Sequence, residues 1–309
     1  MKTCLQAVLE KGQIVAPGVM DNISVRAVEL SGFSAAVLTA SGLSYSGNGF
    51  PSYGLLNAEE LIWMTNRMTD YALIPVIVDA DGGYGTTPAQ VYVTIMRLAK
   101  NGAAAIIIDD STEVRGSDRE YGEAVPEVIA EELFLSKIRA ATEACENTDC
   151  LVIARTLSLT ALGLEAAAKR CAAARRAGAR ITMVDGVWSH EQAQEVNNVD
   201  PGWKMWPDVR VIDGVPAVSY EELDSLGYRI IFMDYVANAA MYGMLLYGQR
   251  TLTDGNLVFH DTHDYDGMIK PGENYHMFLA YWKKWLPMED EYYDLSDLNK
   301  LDFSHITIQ

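Results

Sequence analysis

Eight short runs of β-branched and other apolar residues recur along the chain, each too short for a helix and too uniformly apolar for a half-exposed strand. Strands that are buried on both faces have this pattern, because helices cover both sides of a parallel sheet. The pattern therefore predicts eight parallel strands, at residues 14–20, 35–40, 75–81, 104–110, 151–156, 181–186, 209–214 and 229–234.

Stretches with the spacing of amphipathic helices lie between these runs. Some end at a glycine that can take the left-handed position after a helix, such as Gly102 and Gly178. Strands and helices that alternate over roughly 250 residues predict a (β/α)8 TIM barrel. No GxGxxG motif follows the first strand to support a dinucleotide-binding sheet. The predicted helices cover residues 59–71, 88–101, 131–146, 164–177, 189–196 and 220–227.

No linker rich in Pro or Ser interrupts the chain, so we expect a single barrel domain over residues 1–309. Residues from about 237 to 309 predict a C-terminal helical extension and tail, with helical patterns at 237–246 and 273–285. The apolar and aromatic side chains of residues 275–282 exceed what the outer edge of a barrel can cover. They predict an oligomer in which these helices pack on another subunit.

Charge narrows the range of partners. The formal net charge of −18 disfavours binding to nucleic acid or to an anionic membrane. No apolar run is long enough to span a bilayer. The first ten residues predict an ordinary helix and lack a secretory pattern, so we expect a cytoplasmic protein. An acidic enzyme that binds a small anion needs a local cation, which is either a metal ion or an arginine.

Charged residues stand at the ends of several predicted strands, where TIM-barrel enzymes have their active sites. Carboxylates that are buried together are costly unless a cation neutralises them, and their oxygens suit Mg2+ or Mn2+. Two of the aspartates, Asp185 and Asp234, have an alternative role as helix N-caps. The strand-end residues are Asp79, Asp81, Asp109, Asp110, Arg155, Asp185 and Asp234.

The spacing of these aspartates predicts which of them share a face. Asp79 and Asp81 project from the same side of their strand because they are two residues apart, and the glycines after them let a ligand approach the backbone. Asp109 and Asp110 are adjacent and point to opposite sides, so we expect only one of them to face the barrel centre.

Two further features concern anion binding and catalysis. Arg155 needs a bidentate anionic partner, which is either a neighbouring aspartate or a substrate carboxylate. The small residues at 41–43, after the second strand, could expose backbone N–H groups to an anion. None of the five histidines stands at a strand end, and the pair His260 and His263 lies in a polar loop, so histidine is not the expected catalytic acid.

Six short motifs, in this order along the chain, resemble those of the isocitrate lyase/phosphoenolpyruvate mutase superfamily. The similarity extends from about residue 14 to about residue 245. The combination is specific although each motif is short. The motifs are Pro17-Gly-Val-Met-Asp21-Asn-Ile-Ser-Val-Arg26, Ser41-Gly42-Leu43, Asp79-Ala-Asp81-Gly-Gly-Tyr-Gly85, Ile107-Ile-Asp-Asp110, Lys137-Ile-Arg-Ala-Ala and Ile153-Ala-Arg155-Thr156.

The resemblance implies a barrel whose last helices are exchanged between subunits, usually in a tetramer. It implies Mg2+ held partly through water by Asp79, Asp81 and Asp109, although the family usually has Glu where Asp109 stands and Thr where Gly82 stands. Arg155 matches the family's arginine that binds a substrate carboxylate or enolate oxygen. The residues expected to bind substrate are therefore Ser41, Gly42 and Leu43 of the family's carboxylate loop, together with Asp79, Arg155 and the strand-end Asp185.

Three departures from the family indicate a divergent member. Residues 111–123 contain neither the Cys nor the His of the mobile loop in the lyases. The Glu-Asp-Lys sequence of the mutases and phosphonopyruvate hydrolases is replaced by Asp109-Asp110-Ser111. Residues 208–216 replace the lyase segment that binds a second carboxylate. Neither a methylisocitrate lyase nor a phosphonate mutase therefore fits the sequence closely.

We expect a Mg2+-dependent carbon–carbon lyase or decarboxylase that acts on a small 2-oxo or 2-hydroxy acid, with one or two carboxylates, through an enolate. The alternatives are a mutase or hydrolase that acts on a P–C bond of phosphonopyruvate or phosphoenolpyruvate, and a barrel that binds a ligand without catalysis. The acid that replaces the loop Cys remains open. Its candidates are Tyr45, Asp118, Glu120, Tyr121, Glu123 and a metal-bound water.

Overall fold

The computed structural model describes residues 4–50, 54–112, 127–208, 211–233 and 236–254. Eight parallel strands close into a barrel in which the first strand pairs with the second and with the last. The predicted (β/α)8 fold is confirmed. The barrel strands are β1 (Ile14–Val19), β2 (Ala36–Leu38), β3 (Val76–Asp79), β4 (Ala105–Asp109), β5 (Leu151–Thr156), β6 (Ile181–Val184), β7 (Lys204–Trp206) and β10 (Tyr228–Met233).

The prediction of a barrel strand at residues 209–214 is wrong, because the seventh barrel strand is β7. The segments β8 (Val211–Ile212) and β9 (Val215–Pro216) form an antiparallel hairpin outside the barrel. Asp213 and Gly214 turn this hairpin with φ angles of 52° and 83°, which is the backbone that an Asp-Gly hairpin turn adopts. The apolar pattern did not predict β7, because this strand is short and begins with a buried lysine.

Helices follow the strands close to the predicted positions. The helices α2, α3 and α7 were not predicted, and two of them have only four residues, too few to show helical periodicity. The helices are α1 (Leu5–Leu9), α2 (Asn22–Leu30), α3 (Ala40–Leu43), α4 (Ala58–Tyr71), α5 (Pro88–Lys100), α6 (Glu131–Cys145), α7 (Leu159–Leu162), α8 (Leu164–Arg176), α9 (His190–Val199), α10 (Tyr220–Ser225) and α11 (Val236–Asp254), with a π-helix at Ser44–Asn48.

Side chains divide between the barrel interior and the layer under the helices with a period of two residues. Ile77, Ile107 and Ile153 belong to the cluster that fills the interior of the barrel. Their neighbours Val78 and Ile106 instead pack with side chains of the surrounding helices. This alternation fixes which strand-end residues can face the axis of the barrel.

The chain divides into two compact units, residues 1–241 and 242–309. The first contains all the barrel strands. Helix α11 crosses the boundary and exposes several apolar side chains, among them Met241, Tyr242 and Met244. Within the described parts of the chain, no helix is both long and apolar enough to cross a membrane.

Candidate active site

The alternation along β3, β4 and β5 brings three charged residues to one end of the barrel interior. Asp79, Asp109 and Arg155 each follow an interior isoleucine by two residues, so their side chains continue the interior face. Asp109 lies beside Arg155 in the register of β4 and β5. All three stand at the carboxyl ends of their strands, which is the end where TIM-barrel enzymes have their active sites.

Arg155 is the centre of this arrangement. Its Nη1 donates to Asp79 Oδ2 at 2.9 Å, and its Nη2 donates to Asp109 Oδ2 at 2.7 Å. Asp81 Oδ1 lies 3.6 Å from Nη2, so three carboxylates surround one guanidinium. The Nε atom of Arg155 is buried and has no hydrogen-bond partner among the described residues.

Burial and pairing act in opposite directions on the pKa values of these groups. Burial and the nearby Asp109 raise the pKa of Asp79 above its ordinary value, against the lowering effect of Arg155. Burial would also raise the pKa of Asp109, but Arg155 and the hydrogen bonds from Ser111 outweigh it and the pKa is lowered. Burial alone would lower the pKa of Arg155, yet the surrounding aspartates raise it well above its ordinary value.

A tight turn after β3 positions Asp81. Asp81 has a φ of 45° and its N–H donates to Asp79 Oδ1 at 3.3 Å. The carbonyl of Asp81 accepts a hydrogen bond from the Asp109 N–H at 2.8 Å, which ties the turn to β4. Lys137 of α6 is buried and donates to the Gly82 carbonyl at 3.1 Å, so the turn is also held from outside the barrel.

These charged residues line a cavity of about 280 Å³ at the mouth of the barrel. Five carboxylates and one guanidinium contribute to its described wall, so the wall carries a negative charge. Leu157, Pro207 and Phe232 add apolar surface. The remaining lining residues are Thr39, Ser41, Asp79, Asp81, Asp109, Arg155, Asp185 and Asp208.

The predicted carboxylate loop forms the short helix α3. Ser41 lines the cavity. The N–H of Gly42 donates to Thr39 Oγ1 at 3.0 Å, and the N–H of Leu43 donates to the Thr39 carbonyl at 3.0 Å. Both N–H groups are therefore used inside the helix, and Ser41 is the residue of this loop that reaches the cavity.

The structure also places the other predicted site residues. Asp185 lies on the cavity wall, and because α9 is capped by Ser189, the alternative role of Asp185 as a helix N-cap is wrong. Tyr45 is 57% exposed and is not among the residues that line the cavity. The remaining candidates Asp118, Glu120, Tyr121, Glu123, Asp234, His260 and His263 lie outside the described residues.

The environment of Asp110 was not predictable from the sequence. Of the adjacent pair at the end of β4, only Asp109 lines the cavity, as expected. The buried Asp110 carboxylate instead bonds Arg170 of α8, Thr156 of β5 and the Leu157 N–H. Arg170 is 60 residues away along the chain, so no local pattern could have revealed this pairing.

The oxygen atoms at the mouth suit a hard divalent cation. Among the described residues, no three acidic, histidine or cysteine side chains come close enough to bind an ion directly together. Water would therefore complete the coordination of an ion near Asp79, Asp81 and Asp109. The excess of carboxylates over guanidinium groups favours a bound cation at this position. The assignment of these three residues as metal ligands stays a prediction.

A closed barrel that gathers charged groups at the carboxyl ends of its strands is typical of TIM-barrel enzymes that bind a small polar ligand. Residues 5–251 match the family described as phosphoenolpyruvate phosphomutase. The chain therefore belongs to this family, and the predicted membership of the isocitrate lyase/phosphoenolpyruvate mutase superfamily is confirmed.

Similar proteins include lyases and decarboxylases. The chain is 30% identical to 2,3-dimethylmalate lyase of Eubacterium barkeri over 281 residues, which cover 87% of this chain and 95% of that protein. It is 32% identical to oxaloacetate decarboxylase of Rhodopseudomonas palustris over 194 residues, 62% of this chain and 66% of that protein. A crystal structure of 2,3-dimethylmalate lyase has a TM-score of 0.78 at 27% identity and covers 94% of this chain and 99% of that one.

Proposed function

We propose that this protein is a Mg2+-dependent carbon–carbon lyase or decarboxylase. Its substrate is a small 2-oxo or 2-hydroxy acid with one or two carboxylates, and the reaction passes through an enolate. The observation that carries this proposal is the group of three aspartates around Arg155 inside the cavity at the barrel mouth. The family and its named lyases and decarboxylases support the class of reaction.

Different residues of the site would bind the metal ion and the substrate. Asp79, Asp81 and Asp109 would hold the metal ion, partly through water, and Mn2+ could replace Mg2+. When bound, the ion supplies positive charge that stabilises an enolate oxygen. Arg155 would hold a substrate carboxylate or 2-oxygen in a fixed plane when substrate oxygens share or replace the contacts of its two terminal nitrogens with Asp79 and Asp109.

Other parts of the cavity wall complete the site. The Ser41 hydroxyl can donate a hydrogen bond to the substrate, and Asp185 faces the same cavity. Leu157 and Phe232 give this wall an apolar surface against which the carbon chain of a substrate can pack. These contacts favour a substrate with a planar anionic end and a short carbon chain.

The proton donor to the carbon freed by cleavage is proposed from chemistry. A decarboxylase can take this proton from water, so it tolerates the absence of the lyase loop Cys better than an aldol-type lyase does. Tyr121 and Glu123 stay predicted donors. Tyr45 is a weaker one, because its side chain is exposed and not part of the cavity wall.

The family match favours one alternative, a mutase or hydrolase that acts on the P–C bond of phosphonopyruvate or phosphoenolpyruvate. The two functions share metal and enolate chemistry and differ in the group that leaves. A parallel assay with phosphonopyruvate distinguishes them, because only the alternative releases phosphate or forms phosphoenolpyruvate.

We also propose the assembly and location that the sequence predicts. The exposed apolar side chains of α11 support a homo-oligomer, with a tetramer as the expected form. Exchange of the C-terminal helices between subunits, the single barrel domain with its extension and the cytoplasmic location stay predictions.

Oxalate, a planar mimic of the enolate of pyruvate, tests the proposed site directly. We expect oxalate to raise the melting temperature when Mg2+ is present and not in EDTA, since a ligand at 100 times its Kd stabilises by about 2.7 kcal/mol. Asp81→Asn should abolish this shift. The matched change Asp213→Asn, at the exposed hairpin turn, should retain it. The absence of a metal-dependent shift in the wild type would contradict the proposed site, and turnover assays separate catalysis from ligand binding alone.

A further inference from the structure

A buried ion pair behind the barrel mouth, between Asp110 and Arg170, is not used by the chemistry proposed above. Asp110 is fully buried and Arg170 is 5% exposed. Arg170 Nε donates to Asp110 Oδ2 at 3.0 Å, and Thr156 Oγ1 donates to the same oxygen at 2.6 Å. We call Asp110, Thr156 and Arg170 the upper triad.

Hydrogen bonds connect the upper triad to the backbone on both sides of the site. The Leu157 N–H donates to Asp110 Oδ1 at 2.8 Å, and Leu157 lines the cavity. Arg170 Nη2 donates to the Ile129 carbonyl at 3.0 Å, and the Ile129 N–H donates to the Asp110 carbonyl at 2.8 Å. The triad therefore joins the ends of β4 and β5 to the chain that leads into α6.

The sequence places the triad directly behind the cavity charges. Asp110 follows Asp109, and Thr156 follows Arg155. Because adjacent strand residues point to opposite faces, Asp110 bonds Thr156 and the α8 residue Arg170 outside the barrel, while Asp109 and Arg155 face the cavity. A shift of Asp110 or Thr156 would therefore move the carboxylate or the guanidinium of the site.

A second group of the same composition lies at the opposite end of the barrel. Arg175, also on α8, donates to Asp200 Oδ1 at 2.6 Å, and Thr182 Oγ1 donates to Asp200 Oδ2 at 2.5 Å. Arg175 also bonds the Trp203 carbonyl before β7. We call Arg175, Thr182 and Asp200 the lower triad. None of its members lines the cavity at the mouth.

We propose that the upper triad is a set of positioning residues that fixes Asp109, Arg155 and Leu157 in the geometry needed for the reaction. A buried ion pair is a weak source of stability, because the cost of desolvation offsets much of its attraction. Its contacts with the residues beside Asp109 and Arg155 instead support a geometric role. This inference rests on the proposed function, and the lower triad provides its control.

The isosteric changes Thr156→Val and Thr182→Val form a matched pair. Each residue is buried, and each change removes one hydroxyl that donates to a buried aspartate. We expect similar decreases in melting temperature. Thr156→Val should lower kcat about tenfold at saturating metal and substrate, because small displacements of reacting groups are costly. KM should change little, and Thr182→Val should keep the wild-type kcat.

The second pair, Arg170→Lys and Arg175→Lys, covers the case in which Thr156→Val does not fold. The same contrast is expected, with kcat lowered only for Arg170→Lys. Equal kcat values for the two members of a folded pair, or losses that follow melting temperature in both, would overturn the proposal.

Amide hydrogen exchange provides a readout that does not depend on activity. The N–H groups of Leu157 and Ile129 bond to Asp110. They should exchange faster in Thr156→Val and keep their protection in Thr182→Val. Unchanged exchange at both amides would contradict the positioning role. A wild type without turnover or oxalate binding would instead contradict the proposed function, and the exchange comparison would still decide the role of the triad.

Discussion

At the scale of single residues, Arg155 is the side chain that contacts all three aspartates of the candidate site. The sequence left open whether its partner is a neighbouring aspartate or a substrate. In the structure its two terminal nitrogens bond Asp79 and Asp109. The guanidinium therefore orders the carboxylates, and a receptor role requires that a substrate oxygen share or replace these contacts.

Arg155→Lys tests the receptor role. Lysine keeps the charge but loses the planar fork that binds two oxygens. We expect kcat/KM to fall roughly 30- to 1,000-fold, which corresponds to about 2–4 kcal/mol of transition-state stabilisation. Steady-state kinetics at saturating Mg2+ and circular dichroism would measure activity and fold together.

The competing role for Arg155 is to orient the metal ligands. In that case Arg155→Lys would mainly weaken the affinity for Mg2+, and millimolar Mg2+ would restore activity. Such a rescue would contradict the receptor role.

Because Lys204 is buried, the stability of the folded barrel depends on pH, and this effect does not involve the candidate active site. It is 1% exposed and donates to Asn197 Oδ1, and burial lowers its pKa from 10.5 to about 8. Between these two values the unfolded chain binds the proton and the folded chain does not, so stability rises with pH in this window. The contribution is at most about 3 kcal/mol.

Urea unfolding between pH 8 and pH 10.5 would measure this effect, with Lys204→Met as the reference that lacks the group. The stability of the wild type minus that of the variant should increase across the window. A difference that stays constant or decreases with pH would contradict the assigned cause.

At the scale of elements, the pattern of apolar residues was sufficient to predict most of the barrel strands. Seven of the eight predicted strands overlap barrel strands, because apolar runs buried on both faces have few other interpretations. The seventh was misplaced because the Asp213-Gly214 turn was not recognised as a hairpin, and because β7 begins with Lys204. The partners of Lys204 Nζ are the Asn197 side chain and the Asp200 and Gly202 carbonyls, which lie two to seven residues before it. The hydrophobic pattern does not show that this segment folds back around the lysine.

The residues of the candidate site, like the barrel strands, were predictable in large part from the sequence. Strand-end positions were sufficient to predict that Asp79, Asp109 and Arg155 face the barrel mouth. Asp81 reaches the same cavity from the turn after β3, and not from the strand as its two-residue spacing predicted, because β3 ends at Asp79. The hydrogen bonds of the upper triad join strands to α8, so they depend on tertiary packing. The N–H groups at 42 and 43 were misjudged, because four residues gave no sign that α3 would form.

A glycine after α8 shows how tightly the helices pack on each other. Gly178 has a φ of 120°, and a Cβ there would lie 2.6 Å from Thr142 Oγ1 of α6. Gly178→Ala combines backbone strain with a clash, so we expect a loss of about 2–4 kcal/mol in the free energy of unfolding. Urea unfolding would measure it.

Gly32→Ala is the matched control. Gly32 also follows a helix with positive φ, and its N–H makes the same type of bond to a helix carbonyl, but a Cβ there would meet nothing within 4 Å. Only the backbone strain of about 1 kcal/mol is expected. Equal losses for the two variants would show that packing on α6 is unimportant.

At the scale of the whole molecule, α11 exposes Met241, Tyr242, Met244 and Leu245 in the single chain. Exposed apolar groups on one helix favour association. We expect light scattering at micromolar concentration to show an oligomer, with the mass of a tetramer as the specific expectation. A monomer would contradict this prediction.

A turnover screen tests directly whether the protein cleaves a carbon–carbon bond with Mg2+. Purified protein with Mg2+ is incubated with a set of 2-oxo and 2-hydroxy mono- and dicarboxylates, and release of pyruvate, glyoxylate or CO2 is followed, with phosphonopyruvate in parallel. We expect cleavage of at least one carbon acid, and this activity should be lost in EDTA, restored by Mg2+ and absent in Asp81→Asn. Turnover of phosphonopyruvate alone, or carbon–carbon cleavage that persists in EDTA and in Asp81→Asn, would contradict it.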